Sequence, residues 1–352
     1  MNRLALTLLL GAATTLAAQQ PSTESRGSAP NVVFILADDM GWGDPAFGRD
    51  DACIPTPRLD GLAAAGMRFV DAHSPAALCV PARYGLLTGR YPARKRRLSP
   101  DTEAVIAADT PTLPGILRRA GYRTHMVGKW HLGFDHAAAP DYAALTGGPL
   151  DRGFDGFFGI PASLDIPPYY FIRDRRAVAP PTVDVAASST PGWSPIQGAF
   201  WRDGRMAAGF EHAAVLPGCG DEAVAVIRAH AARGEDDPLF LYLALPAPHT
   251  PWLPHEEFEG RSQAGLYGDF VAEVDAVVGR VLDALEAAGM RDDTLVLFSS
   301  DNGPVWYQHD TDRYGHSATG PFRGMKADSF EGGHRVPFVA RWPGHVAAGA
   351  RC

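Results

Sequence analysis

Three short apolar runs constrain this chain more than anything else in it: NVVFIL from Asn31, LFLYLAL from Leu239 and TLVLF from Thr294. They are continuous rather than alternating, and rich in β-branched and aromatic side chains. Such runs suit strands buried on both faces, which is how parallel sheets are built. Helical patterns lie between them. In TPRLDGLAAAGMRF, Thr56 is placed to cap a helix, Pro57 to occupy its first position and Gly66 to stop it. Leu113 to Ala120 reads as a short helix ended by Gly121, feeding a strand over Thr124 to Val127. From Asp269 to Ala288, residues Val271, Val274, Val278, Val281 and Leu285 form one apolar stripe, and Gly289 follows. VPFVARWPG near the end is again strand-like. Strands alternating with helices predict an α/β fold, a mostly parallel central sheet with helices on both faces. Residues 160 to 209, rich in Pro, Arg and aromatics, lack a clear period and read as a long excursion over the sheet that lines a pocket.

The N-terminus, MNRLALTLLLGAATTLAAQQ, has Arg3, a short apolar core and small residues near Ala17 and Ala18. This predicts a signal peptide over residues 1–18 and an exported protein, periplasmic or secreted. The apolar run falls short of the ~20 residues a membrane span needs, and no later segment suggests stable membrane insertion. A polar Ser- and Pro-containing linker is expected over 19–29. The net charge of −8 gives no reason to expect a nucleic-acid partner. Four cysteines, Cys53, Cys79, Cys219 and Cys352, are too sparse for a disulfide scaffold, and no Cys/His spacing points to zinc. A Cys53–Cys219 bridge has no positive support.

Ligands of open α/β sheets bind beyond the carboxyl ends of the strands. Here those ends are polar: Asp38 and Asp39 after NVVFIL, Lys129 and His131 after THMV, His249 after LFLYLAL, Asp301 and Asn302 after TLVLF. Lys326 follows in a glycine-flanked loop. Asp38, Asp39, Asp301 and Asn302 are hard oxygen donors and suit Ca²⁺, or less well Mg²⁺. Arg83, Lys129, Lys326, His131 and His249 form a cationic, proton-handling set. A hard metal with such a set is suited to an oxyanion ester, a sulfate or a phosphate.

In LCVPARYGLLTGRYPAR, Pro81 can open a helix and so place Cys79 near a helix N-terminus, with Arg83 one turn on. A thiolate is a soft nucleophile, poorly matched to a sulfate or phosphate centre beside a hard metal. Cys79-Val80-Pro81-Ala82-Arg83 with LLTGRYP resembles the signature of the type I sulfatases of the alkaline phosphatase superfamily. NVVFILADDMGWGD, GKWHLG, PHTPW, SSDNGP and GMKADSFEGGHRVPF match in family order. The resemblance implies an alkaline phosphatase-like fold and a sulfuric ester hydrolase. It implies that a formylglycine-generating enzyme converts Cys79 to an aldehyde whose hydrate is the nucleophile. It also implies that Asp38, Asp39, Asp301, Asn302 and residue 79 bind Ca²⁺, and that Arg83 and Lys129 stabilise the hydrate. His249 and Lys326 would then contact sulfate and the leaving oxygen, and His131 would act as the base that releases sulfate.

Residues 30–352 are thus expected to form the catalytic domain, truncated before the smaller C-terminal subdomain usual in that family. The expected substrate is a sulfated glycan or a small aryl sulfate. Tyr169, Tyr170, Arg173, Trp193, Trp201 and the segment from Val305 to His316 are candidates for recognising it. A formylglycine-dependent phosphodiesterase or phosphonate monoester hydrolase, and an inactive module that binds sulfated glycans, are the alternatives.

Overall fold

The computed structural model describes residues 29–352, apart from 48, 50, 51, 96, 97 and 102. The signal peptide and nearly all of the linker expected upstream lie outside the described residues. The strands, in chain order, are β1 (Asn31–Asp38), β2 (Met67–Phe69), β3 (Arg123–Lys129), β4 (Gly156–Ile160), β5 (Ile172–Arg173) and β6 (Arg176–Ala177). They continue with β7 (Pro181–Val185), β8 (Gly204–Ala207), β9 (Leu239–Pro248), β10 (Thr294–Ser300), β11 (Phe338–Arg341) and β12 (Ala350–Arg351). Ten of them form one sheet in the order β12-β2-β11-β10-β1-β9-β3-β4-β5-β6, and β7 pairs only with β8.

The middle of the sheet, β10-β1-β9-β3-β4, is parallel throughout. Antiparallel pairs flank it on either side. All ten positions of β9 are buried, so both faces of the sheet are covered. This is why its sequence does not alternate. The helices are α1 (Pro57–Ala64), α2 (Cys79–Thr88), α3 (Leu113–Arg119), α4 (Val215–Arg233), α5 (Gly265–Ala287), α6 (Gln308–Tyr314) and α7 (Glu331–His334). Helices α4 and α5 pack on each other and on β9, and α3 packs on β3. The stripe of α5 predicted from its period, Val271, Val274, Val278, Val281 and Leu285, is fully buried. No helix of the described residues is long and apolar enough to cross a membrane.

The sequence reading differs from the structure in four places. Thr56 precedes α1, but its hydroxyl accepts from the Ala46 amide and makes no capping hydrogen bond. Helix α2 starts at Cys79, not at Pro81. Proline is accepted within the first turn because the amide it lacks has no intrahelical partner there. Gly66 does not stop α1 by a left-handed turn. It is needed because β11 crosses so closely that a Cβ would lie 2.3 Å from the carbonyl oxygen of Ala340. Residues 160–209 contain four strands of two to five residues, too short to leave a period in the sequence.

Replacing Leu243 by alanine in fully buried β9 is expected to cost about 2–5 kcal/mol. Ile116→Ala, on a half-exposed position of α3, should cost less than about 1 kcal/mol. Urea denaturation followed by circular dichroism separates the two. Equal midpoints would mean that β9 is not the centre of the core.

Candidate active site

Parallel, in-register strands deliver their last residues to one edge of the sheet. Ala37 is level with Ser300, and Asp38 with Pro248. Asp38, Lys129, His249 and Asp301 therefore reach the same edge from β1, β3, β9 and β10. The amide of Asp301 donates to the carbonyl of Ala37 at 3.1 Å, which carries the pairing one residue past β10. Helix α2 brings the first residue of its N-terminal turn, Cys79, to this edge. The Lys326 loop is tied down by its own backbone. The Lys326 amide donates to Pro304 O, and the Ala327 amide to Ala77 O, two residues before Cys79, each at 2.9 Å.

Three carboxylates and three fixed cations meet here. Lys129 Nζ donates to Asp38 Oδ2, and Lys326 Nζ donates to Asp39 Oδ2 at 2.7 Å. Arg83 Nε donates to Asp301 Oδ2 at 2.9 Å while Arg83 Nη1 donates to Lys129 O at 3.0 Å. Asp38, Arg83, Lys129 and Asp301 are almost completely buried. Burial works to raise the Asp38 pKa, yet Lys129, His249 and Arg83 together hold it well below the usual carboxylate range. Asp301 is pushed up to about 6, by burial first and by the neighbouring charge of Asp38 second. Burial opposes the charge on Lys326, but Asp39, Cys79 and Asp38 outweigh it and raise its pKa.

The donor set fits a hard cation. Asn302 is buried, its Nδ2 donates to Asp39 Oδ1 at 2.6 Å and to Gly303 O at 2.8 Å, and its Oδ1 has no partner. That leaves a neutral oxygen with free lone pairs among the carboxylates. Ligand atoms of Asp38, Asp39, Cys79 and His249 lie within 4.8 Å of one another. Cys79 Sγ is 3.5 Å from Asp38 Oδ1 and 3.9 Å from Asp39 Oδ1. Burial pushes the Cys79 thiol far up, with Lys129 and Lys326 opposing it only in part. The unmodified side chain therefore stays a neutral thiol at neutral pH.

Cys79, His131, His249 and Lys326 line a cavity of about 350 Å³. His249 Nδ1 donates to Thr250 O at 2.7 Å, which leaves Nε2 facing Asp39 Oδ2 at 3.6 Å. His131 is held neutral, its pKa pushed well down by burial and then by Lys129. Asp39 and His131 both adopt left-handed backbone, φ 64° and 56°, as does Ala327 beside Lys326, φ 72°. Residues other than glycine seldom do so.

Every site residue read from the sequence, from Asp38 to Lys326, thus falls in one cluster. The recognition candidates do not. Tyr169 is buried in the core, Tyr170 is buried beside a neighbouring cavity that shares His131 and Ile166 with the Cys79 cavity, and Arg173 is paired with Glu222. Trp193 packs against Trp252 and Tyr314, and Trp201 stacks on His212. Of the segment from Val305 to His316, Val305 lines the cavity. Helix α6 occupies much of the remainder, and His316 pairs with Asp44 at 2.8 Å. The cavity instead takes Ser163, Asp165, Ile166, Ile196 and Arg202 from the excursion. Asp165 Oδ1 is buried without a hydrogen-bond partner, 3.9 Å from His249 Nδ1. Arg202 Nη1 reaches Asp165 Oδ2. A lone Asp in a proline-rich stretch gave no signal for this. All four cysteines are free, and the Cys53–Cys219 bridge is absent.

The family profile described as Sulfatase matches residues 30–351. An N-acetylgalactosamine-6-O-sulfatase of Bacteroides thetaiotaomicron is 32% identical over 97% of this chain and 73% of its own length. Bovine arylsulfatase A is 37% identical over 97% of this chain. The chain spans 63% of that relative's length, and less than two thirds of the other animal relatives it matches. A solved Bacteroides thetaiotaomicron structure, from work on glycosaminoglycan metabolism, superposes with a TM-score of 0.81 at 30% identity, covering 92% of this chain and 74% of that one. With its parallel sheet, its acidic strand ends and Cys79 at the head of α2, the chain belongs to the sulfatase family of the alkaline phosphatase superfamily.

Proposed function

We propose that this chain hydrolyses a sulfate ester of a carbohydrate, using residue 79 as formylglycine and a Ca²⁺ ion held by Asp38, Asp39, Asp301 and Asn302. The observation that carries this reading is the placement of Cys79. It lies buried at a helix N-terminus, against hard oxygen donors, ringed by Lys129, Lys326 and Arg83. Burial, Asp301 and Asp38 outweigh Lys129 and Lys326 and keep the thiol neutral, and a soft sulfur is poorly matched to the hard oxygen donors around it. The protein's three carboxylates and three fixed cations balance, so a divalent ion adds a net positive charge suited to an anionic ester.

When present, Ca²⁺ supplies a Lewis acid for a sulfate oxygen, and hydrated formylglycine supplies one hydroxyl to attack and a second from which the aldehyde is recovered. The protein's side chains do the rest. Lys326 stays charged and faces the cavity, where it binds a sulfate oxygen. Lys129 and Arg83 fix the orientation of Asp38 and Asp301 and lend positive charge from behind. With Nδ1 locked on Thr250 O, His249 presents Nε2 as the proton donor to the leaving oxygen. His131, kept neutral, is the base on the same cavity wall. Leu78, Leu98, Ile196 and Trp252 give the cavity an apolar wall that limits water, while Asp165, Ser163 and Arg202 offer polar contacts for sugar hydroxyls. The relatives named for sulfated N-acetylgalactosamine support a carbohydrate over a simple aryl ester. Cys79 is 4% exposed, so the maturation enzyme has to reach it before the chain closes.

The mass of the tryptic peptide Phe69–Arg83, from protein made alongside a formylglycine-generating enzyme, should show the thiol replaced by an aldehyde. An intact thiol, in a host that modifies a control sulfatase, would overturn the reading. Cys79→Ser should lower turnover of a sulfated sugar by at least about 10³-fold, and normal rates would exclude residue 79 as nucleophile. Asp301→Ala should abolish Ca²⁺ binding and activity together. A proton competes with Ca²⁺ at Asp301, whose pKa is raised to about 6. Calorimetry should therefore find Ca²⁺ affinity level above that pH and falling roughly tenfold per pH unit below it.

A further inference from the structure

A second cluster of metal-ligating side chains lies apart from the cavity just described. His73 sits six residues before the first residue of α2, while Glu331 and His334 lie three residues apart on the single turn α7. Because His73 and His334 are 261 positions apart, no spacing motif reveals the group. The backbone brings them together. The Ser74 amide donates to His334 O at 2.8 Å, the Val336 amide to Ala72 O at 3.1 Å, and His73 and Arg335 form an antiparallel bridge.

We propose that His73, His334 and Glu331 form a binding site for a divalent transition-metal ion, Zn²⁺ by the chemistry of its ligands. Ligand atoms of the three residues lie within 4.8 Å of one another. The two Nδ1 atoms face each other at 3.0 Å. Two nitrogens about 2.0–2.1 Å from one tetrahedral ion are about 3.3 Å apart, so little movement is needed. His73 Nε2 lies 2.9 Å from Asp71 Oδ1 and 3.2 Å from Arg335 Nη1. Asp71 can accept a proton held on Nε2, the tautomer that leaves the lone pair on Nδ1 for an ion. A carboxylate behind an imidazole is the support that metal-binding histidines normally have. Arg335 pairs with Asp71, and its Nε lies 2.9 Å from Glu331 Oε2, which leaves Glu331 a second oxygen for an ion. His73 and His334 open onto a surface cavity of about 600 Å³, so an ion can enter and keep water as a fourth ligand. Two imidazoles and one carboxylate suit Zn²⁺ and not Ca²⁺. The site is independent of the sulfatase chemistry but next to it, since Ser74 Oγ donates to Asp301 O. An ion here clamps α7, which follows the Lys326 loop, to the segment leading into Cys79.

The test uses untagged full-length protein saturated with Ca²⁺, titrated with Zn²⁺ by calorimetry and with Co²⁺ by absorption. The wild type should bind one equivalent, and Cys79→Ala should keep it. His73→Gln/His334→Gln should lose it while its far-ultraviolet circular dichroism and Ca²⁺ binding stay unchanged. Asp71→Asn, which leaves all three ligands in place, should weaken it about 10–100-fold. The Co²⁺ spectrum should contain d–d bands and no thiolate charge-transfer band. No bound equivalent, an unchanged titration in the double variant, or a thiolate band would each overturn the site. In the first case His73 and His334 are simply a hydrogen-bonded pair.

Discussion

The structure is organised by one electrostatic constraint: three carboxylates, Asp38, Asp39 and Asp301, are kept together at the end of a buried sheet. Such a group repels itself and loses its hydration, which is costly unless each charge is met. Lys129, Lys326 and Arg83 meet them one by one. Each cation comes from a different element, the end of β3, the loop before α7, and α2. Satisfying the acids therefore fixes where those three elements lie. Cys79, on the same helix as Arg83, is positioned by the same requirement.

The sheet makes this convergence possible. Parallel strands in register end together, so residues 262 apart in sequence, such as Asp39 and Asp301, come within hydrogen-bonding distance. That pairing would not survive a shift of register, because one step would turn Asp38 to the other face. Burial then sets the protonation states. His131 is neutral, Lys326 is charged and Asp301 lies near the edge of ionisation.

Much of this was legible in the sequence where a pattern was long or an end was polar. The runs in β1, β9 and β10 and the stripe of α5 read correctly, and the polar residues after the strand ends do come to one edge of the sheet. The misses share a physical cause, which is that they depend on contacts distant in sequence. Strands β5 to β8 are too short for a period. Gly66 is explained by β11, not by α1. Tyr169 looked like part of a recognition surface but fills the core, whereas Asp165, with no pattern around it, faces the cavity. His73 and His334 become neighbours only through the backbone pairing of segments at opposite ends of the chain.

The left-handed backbone at Asp39, His131 and Ala327 has an evolutionary consequence. At each of these positions glycine would relax the chain, so selection for thermostability alone would pull all three toward it. At Ala327 that drift removes only a methyl group. At Asp39 and His131 it deletes a carboxylate and an imidazole from the heart of the site. Laboratory evolution toward a hardier protein would therefore have one harmless route and two that erase its chemistry, unless activity is screened at every round.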